Sequence, residues 1–328
     1  MNGRNGNISS LRYVPRMEPM SADAAPVMSE YQPVLGTVLE LCAIAADTTV
    51  IAAAEQRALA EIDRLELVFS VYDDASELCR WRRGVDIAMS DDLVALLETT
   101  ALWFGRGRGA FNPSIRVLMD LWRGAAASGR PPPREMLREA ARSIATLPFA
   151  MRDGRAHRRG DCRNVELNAL AKGYIVDRAA AAACSDARVS GFMVSLGGDL
   201  VHRGVGSMVV GIEDPHRPYD NAPPRVAIEI SNQGLATSGS ARRGFQVGDQ
   251  WFGHVLDPRS GDPVDHVLSA SVIAPDACTA DVVATIVGVL GVHDGPAFAD
   301  TLDAVGVCLI DRDGTRWCNA FWRAHECE

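Results

Sequence analysis

Residues 269–291 read SASVIAPDACTADVVATIVGVLG. The opening residues of this segment form an apolar run that ends at Pro275, which predicts a strand. After a short turn an apolar helix follows, and it carries Asp281 and Thr285 four residues apart, on one helical face. A carboxylate and a hydroxyl on one face of an otherwise apolar helix need a binding partner or a structural role.

The composition indicates an ordinary globular protein. The chain has 328 residues, of which 47% are apolar and 23% charged, and its net charge is −9. This length allows one large domain or two ordinary ones. The acidic balance argues against nucleic acid as the main partner, because neutralising phosphates needs clustered Lys and Arg. The most basic run, RDGRAHRR at 152–159, is interpreted as a solvated loop.

Three features bear on the compartment. We find no run of about 18 apolar residues, so the sequence predicts no membrane span. Residues 1–33 are rich in Pro, Ser, Asn and Gly and lack the apolar core of a signal peptide, so we interpret them as a flexible extension. The eight cysteines are scattered without metal-type spacing. This pattern favours reduced thiols in a cytoplasmic protein.

The order of patterns along the chain predicts an α+β fold. Apolar residues recur at helical spacing over 49–69 and 90–104, and Ser90 fits the N-cap of the second helix. Later segments are short apolar runs bounded by Gly, Pro or Asp, which predict strands and a hairpin turning at Asp313–Gly314. The predicted strands are 191–200, 207–215, 225–230 and 269–275. We therefore expect one domain over 34–328, with a β-rich core flanked by helices and an N-terminal helical portion.

Taken alone, Asp281 and Thr285 have two interpretations. Their oxygens suit a hard cation such as Mg²⁺. However, an Asp near a helix N-terminus also favours the helix dipole, and a Thr can bond back to the backbone. Two side-chain oxygens are also fewer than the roughly six that octahedral Mg²⁺ takes. The pair by itself leaves both interpretations open.

Glycine, small and charged residues recur at four other turns. Backbone N–H groups at such turns can approach a phosphate, and a lysine adds positive charge. Each turn alone is most often only a turn. The residues concerned are Lys172 and Gly173, Gly197 to Asp199, Thr237 to Gly239, and His254 with Asp257.

The order and wording of these motifs resemble the ApbE family, the FAD:protein FMN transferases, from about Leu35 to Gly291. Several motifs in one order are far more specific than any one of them. They are LGT (35–37), SVYDDASE (70–77), GAFNP (109–113), LW (121–122), AKGYIVDR (171–178), LGGD (196–199), ATSGS (236–240), HVLDPRSGDP (254–263) and TADVVATIVGVLG (279–291).

The resemblance implies an enzyme that uses FAD and Mg²⁺. Such an enzyme transfers FMN from FAD to a Thr or Ser hydroxyl of an acceptor protein and releases AMP. The resemblance assigns the metal to Asp281, Thr285 and the backbone carbonyl of Ala169. It places His254 and Asp257 beside the pyrophosphate, where His254 would assist proton transfer or orient the phosphate. It places in the FAD site Tyr72, Ser76, Glu77, Lys172, Gly197, Gly198, Asp199, Thr237, Ser238 and Gly239.

The sequence also departs from the family pattern. Asn168 replaces a usual Gly in the run ELNAL (166–170), and Asn112 stands where Asp is common. Asn tolerates unusual backbone angles better than most residues, so we expect the Ala169 carbonyl to remain available. Three alternatives stay open: an FAD pyrophosphatase that forms FMN and AMP, a non-catalytic FAD-binding protein, and an enzyme with a non-protein acceptor.

Overall fold

The computed structural model describes residues 11–16, 26–217, 222–239 and 243–327. Up to residue 143 the elements are β1 (Leu11–Arg16), β2 (Val27–Val34), β3 (Thr37–Ala45), α1 (Thr48–Phe69), α2 (Glu77–Arg82), α3 (Asp91–Arg106), α4 (Arg116–Ser128) and α5 (Arg134–Ser143). The middle of the chain forms β4 (Phe149–Arg152), β5 (Arg155–Arg158), α6 (Ala171–Ala183), β6 (Val189–Leu196), β7 (Asp199–Gly204), β8 (Ser207–Ile212) and β9 (Val226–Ile230). The remaining elements are β10 (Gly234–Gly239), β11 (Gly244–Val247), β12 (Gln250–Gly253), β13 (Val267–Ala274), α7 (Ala277–Ala299), β14 (Gly306–Asp311), β15 (Arg316–Cys318) and α8 (Ala320–Arg323).

An eight-stranded antiparallel sheet forms the centre of the fold, in the order β15-β14-β13-β10-β7-β6-β3-β2. Successive side chains of a strand point to opposite faces. On one face, residues such as Val194 and Val272 pack against the layer of α1, α6 and α7. On the other face, residues such as Leu200 and Ile273 pack against the sheet β1-β8-β9. This layering confirms the predicted α+β class.

Two small hairpins attach to the helical portion through aromatic contacts. The ring of Trp122 in α4 lies 4.8 Å from that of Phe252 in β12. The ring of Trp81 in α2 meets Phe149 of β4 edge-on at 5.5 Å. The basic run at 152–159 therefore belongs largely to the hairpin β4–β5 and is not an irregular loop, although its arginines are exposed.

The local signals for element ends are confirmed. The Ser90 hydroxyl accepts a hydrogen bond from the N–H of Leu93 at 3.2 Å, so Ser90 caps α3 as predicted. The hairpin β14–β15 turns at residues 312–315, and the carboxylate of Asp311 accepts the N–H of Thr315 at 2.8 Å. Both signals are local, which is why sequence alone locates them.

The prediction of a flexible extension over 1–33 is wrong in part. Leu11–Arg16 and Val27–Val34 are strands, and β2 pairs with β3 at the edge of the central sheet. Ser29 and Tyr31 of β2 also donate hydrogen bonds to Glu55 of α1, at 2.6 and 3.3 Å. Pairing of β2 with the neighbouring strand β3 thus overrides the polar composition. Residues 1–10 and 17–25 lie outside the described residues.

The expectation that no segment is long and apolar enough to span a membrane is wrong for helix α7. By length and composition Ala277–Ala299 passes that test, but 61% of its most apolar 18-residue window is buried inside the molecule. It packs on β10, β13 and β14. The helix is also interrupted at Gly291, where φ is +87°. We conclude that α7 is the core helix of this fold.

Candidate active site

The N-terminal halves of α6 and α7 meet closely. Gly173 permits this approach, because any side chain there would overlap the carbonyl of Ala277. From α6, the carboxylate of Asp177 accepts the backbone N–H of Ala277 at 3.0 Å and of Cys278 at 2.9 Å. These two N–H groups would otherwise lack partners at the start of α7. Asp177 therefore holds α7 against α6.

Lys172, Asp199 and Asp281 form an ionic cluster at this junction. The Lys172 ammonium donates a hydrogen bond to Oδ2 of Asp199 and lies 3.9 Å from Oδ2 of Asp281. The N–H of Gly173 points at the same Asp281 oxygen, at 3.5 Å. The side chains of Asp199 and Asp281 are 2% and 10% exposed, whereas that of Lys172 is 35% exposed. Lys172 is thus the most exposed member of the cluster.

Two carboxylates share one ammonium in this cluster. Burial, followed by the charge of Asp199, raises the pKa of Asp281 to about 7. Burial likewise raises the pKa of Asp199, although Lys172 opposes this. For Lys172, burial opposes the charged form, but the two carboxylates outweigh it and raise its pKa. A cation placed beside Asp281 would relieve this excess of buried negative charge.

Asp281 and Thr285 lie in the second and third turns of α7, not at its start. The N-cap is Asp276, whose carboxylate accepts the N–H of Thr279 at 2.6 Å. The helix-dipole explanation therefore does not apply to Asp281. The Thr285 hydroxyl makes only a long bond, 3.4 Å, to the carbonyl of Asp281. Its oxygen keeps lone pairs for another partner.

The backbone carbonyl of Ala169 completes a possible oxygen set. In a continued helix the N–H of Gly173 would bond to this carbonyl, but it points to Asp281 instead. No backbone N–H of the described residues donates to Ala169. Within the described ranges no group of three or more His, Cys, Asp or Glu is suited to a metal. The carboxylate, hydroxyl and carbonyl together fit the oxygen preference of Mg²⁺.

The predicted glycine pair forms the tight turn from β6 to β7. Gly197 and Gly198 adopt φ values of +59° and +112°, in the region that favours glycine. A side chain at Gly197 would also come within 2.7 Å of the Thr37 hydroxyl. Asp199 then opens β7 opposite Ala236 of β10. The turn thereby directs Asp199 at Lys172.

The three residues Thr237, Ser238 and Gly239 end β10 next to this turn. The N–H of Thr237 donates to the carbonyl of Gly198 at 3.2 Å, and its hydroxyl pairs with Ser271 at 2.9 Å. Strand alternation puts Thr237 on the sheet face opposite to Asp199, and Ser238 on the same face as Asp199. Thr237 is therefore engaged within the sheet, and Ser238 is the side chain directed to the site face.

His254 follows β12 and is half-buried. Its Nδ1 lies 3.2 Å from the carbonyl of Arg243, which also accepts the His254 backbone N–H at 3.1 Å. Burial lowers the pKa of His254, and the positive charges of Arg243 and Lys172 lower it further. Lys172 of the ionic cluster thus acts electrostatically on this imidazole.

Asp257 lies in a turn, and its carboxylate is engaged by Arg259. Nε of Arg259 donates to one oxygen at 2.8 Å and Nη2 to the other at 2.7 Å. The backbone N–H of Arg259 also donates to the first oxygen, at 2.8 Å. These contacts favour a positioning role for Asp257. Its assignment as a catalytic residue stays a prediction.

Tyr72, Ser76 and Glu77 are placed differently from one another. Tyr72 is 95% exposed, so its ring is free to contact a ligand. Ser76 is buried and caps α2: its hydroxyl donates to the carbonyl of Ser70 at 2.7 Å and accepts the N–H of Cys79 at 3.1 Å. The Glu77 carboxylate accepts the N–H of Ser90 and links α2 to α3. For Ser76 and Glu77 the contacts are those of scaffold residues.

Sequence reasoning missed two residues that organise the site. Asp177 stands in the AKGYIVDR motif, but no local signal shows that it caps a helix 100 residues away. Arg243 acts through its carbonyl, which no side-chain pattern reveals. Both functions depend on contacts made only after folding.

An antiparallel sheet with a buried lysine–carboxylate cluster and an adjoining glycine turn defines an α+β protein with a candidate ligand site at its helix–sheet junction. The family model described as "ApbE family" matches residues 35–309. The chain belongs to this family.

Curated relatives and solved structures agree with this membership. A FAD:protein FMN transferase of Salmonella typhimurium is 26% identical over 318 residues, covering 90% of this chain and 89% of the relative. One of Klebsiella pneumoniae is 27% identical over 262 residues, covering 75% and 74%. The ApbE protein of Thermotoga maritima superposes with a TM-score of 0.77 at 24% identity, covering 93% of this chain and 100% of that one. The flavin transferase ApbE of Vibrio cholerae gives 0.72 at 23% identity, covering 92% and 99%.

Proposed function

We propose that this chain is a Mg²⁺-dependent FAD:protein FMN transferase. It transfers FMN from FAD to a Thr or Ser hydroxyl of an acceptor protein and releases AMP. The observation that carries this proposal is the cluster of Lys172, Asp199 and Asp281 in a chain of this family. The segment that leads to Lys172 contains the Ala169 carbonyl, and the turn Gly197–Gly198 precedes Asp199. The names of the relatives support the reaction.

Asp281, Thr285 and the carbonyl of Ala169 would hold the metal. When bound, Mg²⁺ supplies Lewis-acid charge that offsets the negative charge of the pyrophosphate. Lys172 keeps its ammonium charged between the two carboxylates, and its partial exposure lets it contact a phosphate oxygen. Asp199 holds Lys172 in that position through their hydrogen bond.

His254 is the proposed acceptor of the proton from the attacking hydroxyl. The Arg243 carbonyl can only accept a hydrogen bond, so Nδ1 of His254 carries the hydrogen and Nε2 carries the lone pair. The lowered pKa keeps this imidazole neutral at neutral pH. A neutral, oriented Nε2 is the state that a general base needs.

The exposed ring of Tyr72 is the proposed contact for the flavin. An aromatic side chain 95% exposed can stack on a planar ligand at little cost. Ser238, on the site face of β10, and the N–H of Gly198 are proposed to bind the nucleotide phosphates, whereas the N–H of Gly197 donates to the carbonyl of Val38 at 3.3 Å.

The test is to incubate the purified chain with FAD, Mg²⁺ and candidate acceptor proteins. Mass spectrometry of the acceptor should show the added mass of FMN on a Thr or Ser, with AMP released in equal amount. Omission of Mg²⁺ should abolish both signals.

The same experiment separates the alternatives. AMP release without any acceptor would identify an FAD pyrophosphatase. Binding of FAD with no AMP under any condition would identify a non-catalytic FAD-binding protein. Release that depends on a small molecule in place of protein would identify a non-protein acceptor. Each of these results would overturn the transferase proposal.

A further inference from the structure

Two cysteines that the proposed reaction does not use lie opposite one another at the C-terminal hairpin. Cys308 of β14 and Cys318 of β15 are cross-strand partners. Both carry free thiols, and Cys308 is 1% exposed whereas Cys318 is half-buried. Directly opposed residues of antiparallel strands point to the same face. The two thiols therefore face each other.

The hydrogen-bond ladder shows which kind of cross-strand pair they form. The N–H of Asn319 donates to the carbonyl of Val307 at 3.2 Å, and the N–H of Asp311 donates to the carbonyl of Thr315 at 3.1 Å. The pairs 307–319 and 311–315 are therefore hydrogen-bonded pairs, and the two kinds alternate along the ladder. By this alternation, Cys308 and Cys318 occupy a non-hydrogen-bonded position.

That position suits a disulfide. In non-hydrogen-bonded pairs the Cα atoms are about 4.5 Å apart and the side chains approach most closely. A disulfide joins Cα atoms that are about 4.4–6.8 Å apart. The bond can therefore form without moving the two strands apart.

The surroundings assign different roles to the two sulfurs. A hydrogen bond from the Cys308 thiol lowers the pKa of Cys318, and the nearby Arg316 lowers it further. The same hydrogen bond, together with burial, raises the pKa of Cys308. Cys318 is thus the more accessible and more easily ionised thiol, and thiolates are the attacking species in disulfide exchange.

We propose that Cys308 and Cys318 are a redox-active dithiol that closes to a disulfide when the protein meets a low-molecular-weight disulfide such as oxidised glutathione. The Cys318 thiolate attacks one sulfur of the oxidant and releases one small thiol. The Cys308 sulfur then attacks the mixed disulfide at Cys318 and releases the second small thiol. The protein loses two protons and two electrons, and the oxidant gains them as two small thiols.

The closed form fastens the end of the chain to the sheet edge. Asn319, next to Cys318, caps α8 and accepts the N–H of Val307 at 3.0 Å, so the cross-link reinforces an existing anchor. Cys308 lies on the face packed against β8 and β9, opposite to the face of α6 and α7. The disulfide therefore acts on stability and leaves the candidate active site unchanged.

The test uses the folded full-length chain in glutathione buffers of increasing oxidised fraction. Thiols are then trapped by alkylation under denaturing conditions and counted by mass spectrometry. We expect six alkylated thiols out of eight, one peptide pair linking Cys308 to Cys318, and a melting temperature raised by a few degrees.

Matched variants make the result decisive. Cys318→Ser and Cys318→Ala should keep the seven remaining thiols free and show no rise in melting temperature. The control Cys184→Ser removes another half-buried thiol and should still form the link between Cys308 and Cys318. Circular dichroism checks that each variant is folded. Eight free thiols in the wild type under oxidising buffer, or a link from Cys318 to Cys327 instead, would overturn the proposal.

Discussion

Asp281 is the residue on which the metal hypothesis depends most. It is buried, it lies next to a second carboxylate, and its pKa is raised to about 7 by burial and by that neighbour. A group with these properties is a common mark of a functional site. Because the Lys172 ammonium is shared with Asp199, it is costly for the folded protein to keep Asp281 charged without a further cation.

We predict that Asp281→Asn loses Mg²⁺-dependent FMN transfer, by about 100-fold or more in kcat/KM. Asn keeps the size of the side chain and an acceptor for the N–H of Gly173, so only the charge is removed. The melting temperature in EDTA should not fall, because repulsion between Asp281 and Asp199 disappears. The exposed Asp303→Asn serves as control. A variant with wild-type rate and Mg²⁺ dependence would show that the metal lies elsewhere.

His254 and Asp257 come from one motif, but the structure predicts opposite outcomes for them. In His254→Asn the amide can still donate to the Arg243 carbonyl, whereas the Nε2 lone pair is gone. We expect kcat to fall about 100-fold or more, with FAD binding retained. Steady-state kinetics and FAD titration separate the two effects.

Asp257→Asn should keep most of the activity. An Asn can still accept the backbone N–H of Arg259, and the ion pair that is lost is partly exposed and contributes about 1 kcal/mol or less. If this variant is as inactive as His254→Asn, the prediction that Asp257 is catalytic is right and the positioning interpretation is wrong.

At the scale of elements, the approach of α6 to α7 decides whether the site exists. Gly173→Ala would force its Cβ into the carbonyl of Ala277, so the helices must separate. We expect a loss of stability of about 1–3 kcal/mol, together with weaker Mg²⁺-dependent activity. The measurement is urea unfolding combined with kinetics.

The matched control for Gly173 is another helical glycine. At Gly288 of α7 the nearest atom to an added Cβ is the Ala270 Cβ at 3.6 Å, an ordinary contact. Gly288→Ala should be neutral or slightly stabilising. Equal losses in the two variants would mean that helix packing at Gly173 is not the cause.

Strand β7 contains a buried histidine that should make stability depend on pH. His202 is 2% exposed, and burial lowers its pKa from 6.5 to about 4, with Arg203 adding to the effect. Between these values the unfolded chain binds more protons than the folded one. Stability is therefore fully present above about pH 6.5 and is lost as the pH falls toward about 4, by up to about 3 kcal/mol.

The variant His202→Asn tests this linkage. Its side-chain oxygen can still accept the N–H of Asn232, which Nδ1 of His202 accepts at 3.2 Å. The free energy of unfolding, measured with urea at about pH 7 and about pH 5, should fall less in the variant than in the wild type. Identical pH dependence in both proteins would contradict the assignment.

At the scale of the whole molecule, the candidate site gathers residues that are far apart in the chain. Tyr72, Lys172, Asp199, His254 and Asp281 come from different elements, and only the folded chain brings the ionic residues together. A ligand of this site should therefore bind the folded state alone and stabilise it.

We predict that saturating FAD with Mg²⁺ raises the melting temperature. Ligand at about 100 times its Kd stabilises the folded state by about 2.7 kcal/mol. Differential scanning fluorimetry measures the shift, and Asp281→Asn should respond to FAD without a further gain from Mg²⁺. An unchanged melting temperature in saturating FAD would exclude an FAD site.

The cytoplasmic location expected from the sequence stays a prediction.

The sequence predicts local features of this fold well. The start of α3 at Ser90, the hairpin turn near Gly314 and the glycine turn at Gly197 all follow from residues within a few positions of each other. It fails for β2, whose polar residues become a strand only because β3 offers a partner edge. It also fails for α7, because a core helix and a membrane span can have the same length and apolar composition.

By itself, the sequence determined the α+β class, the family resemblance and the placement of Asp281 and Thr285 on one helical face, because helical spacing is a local property. Only the tertiary structure decided that Asp199 and Lys172 lie at Asp281, that Asp177 caps α7, and that Cys308 faces Cys318. These contacts depend on sheet register and helix packing between distant segments. Such long-range geometry is fixed by burial of the shared core and not by the spacing of residues along the chain.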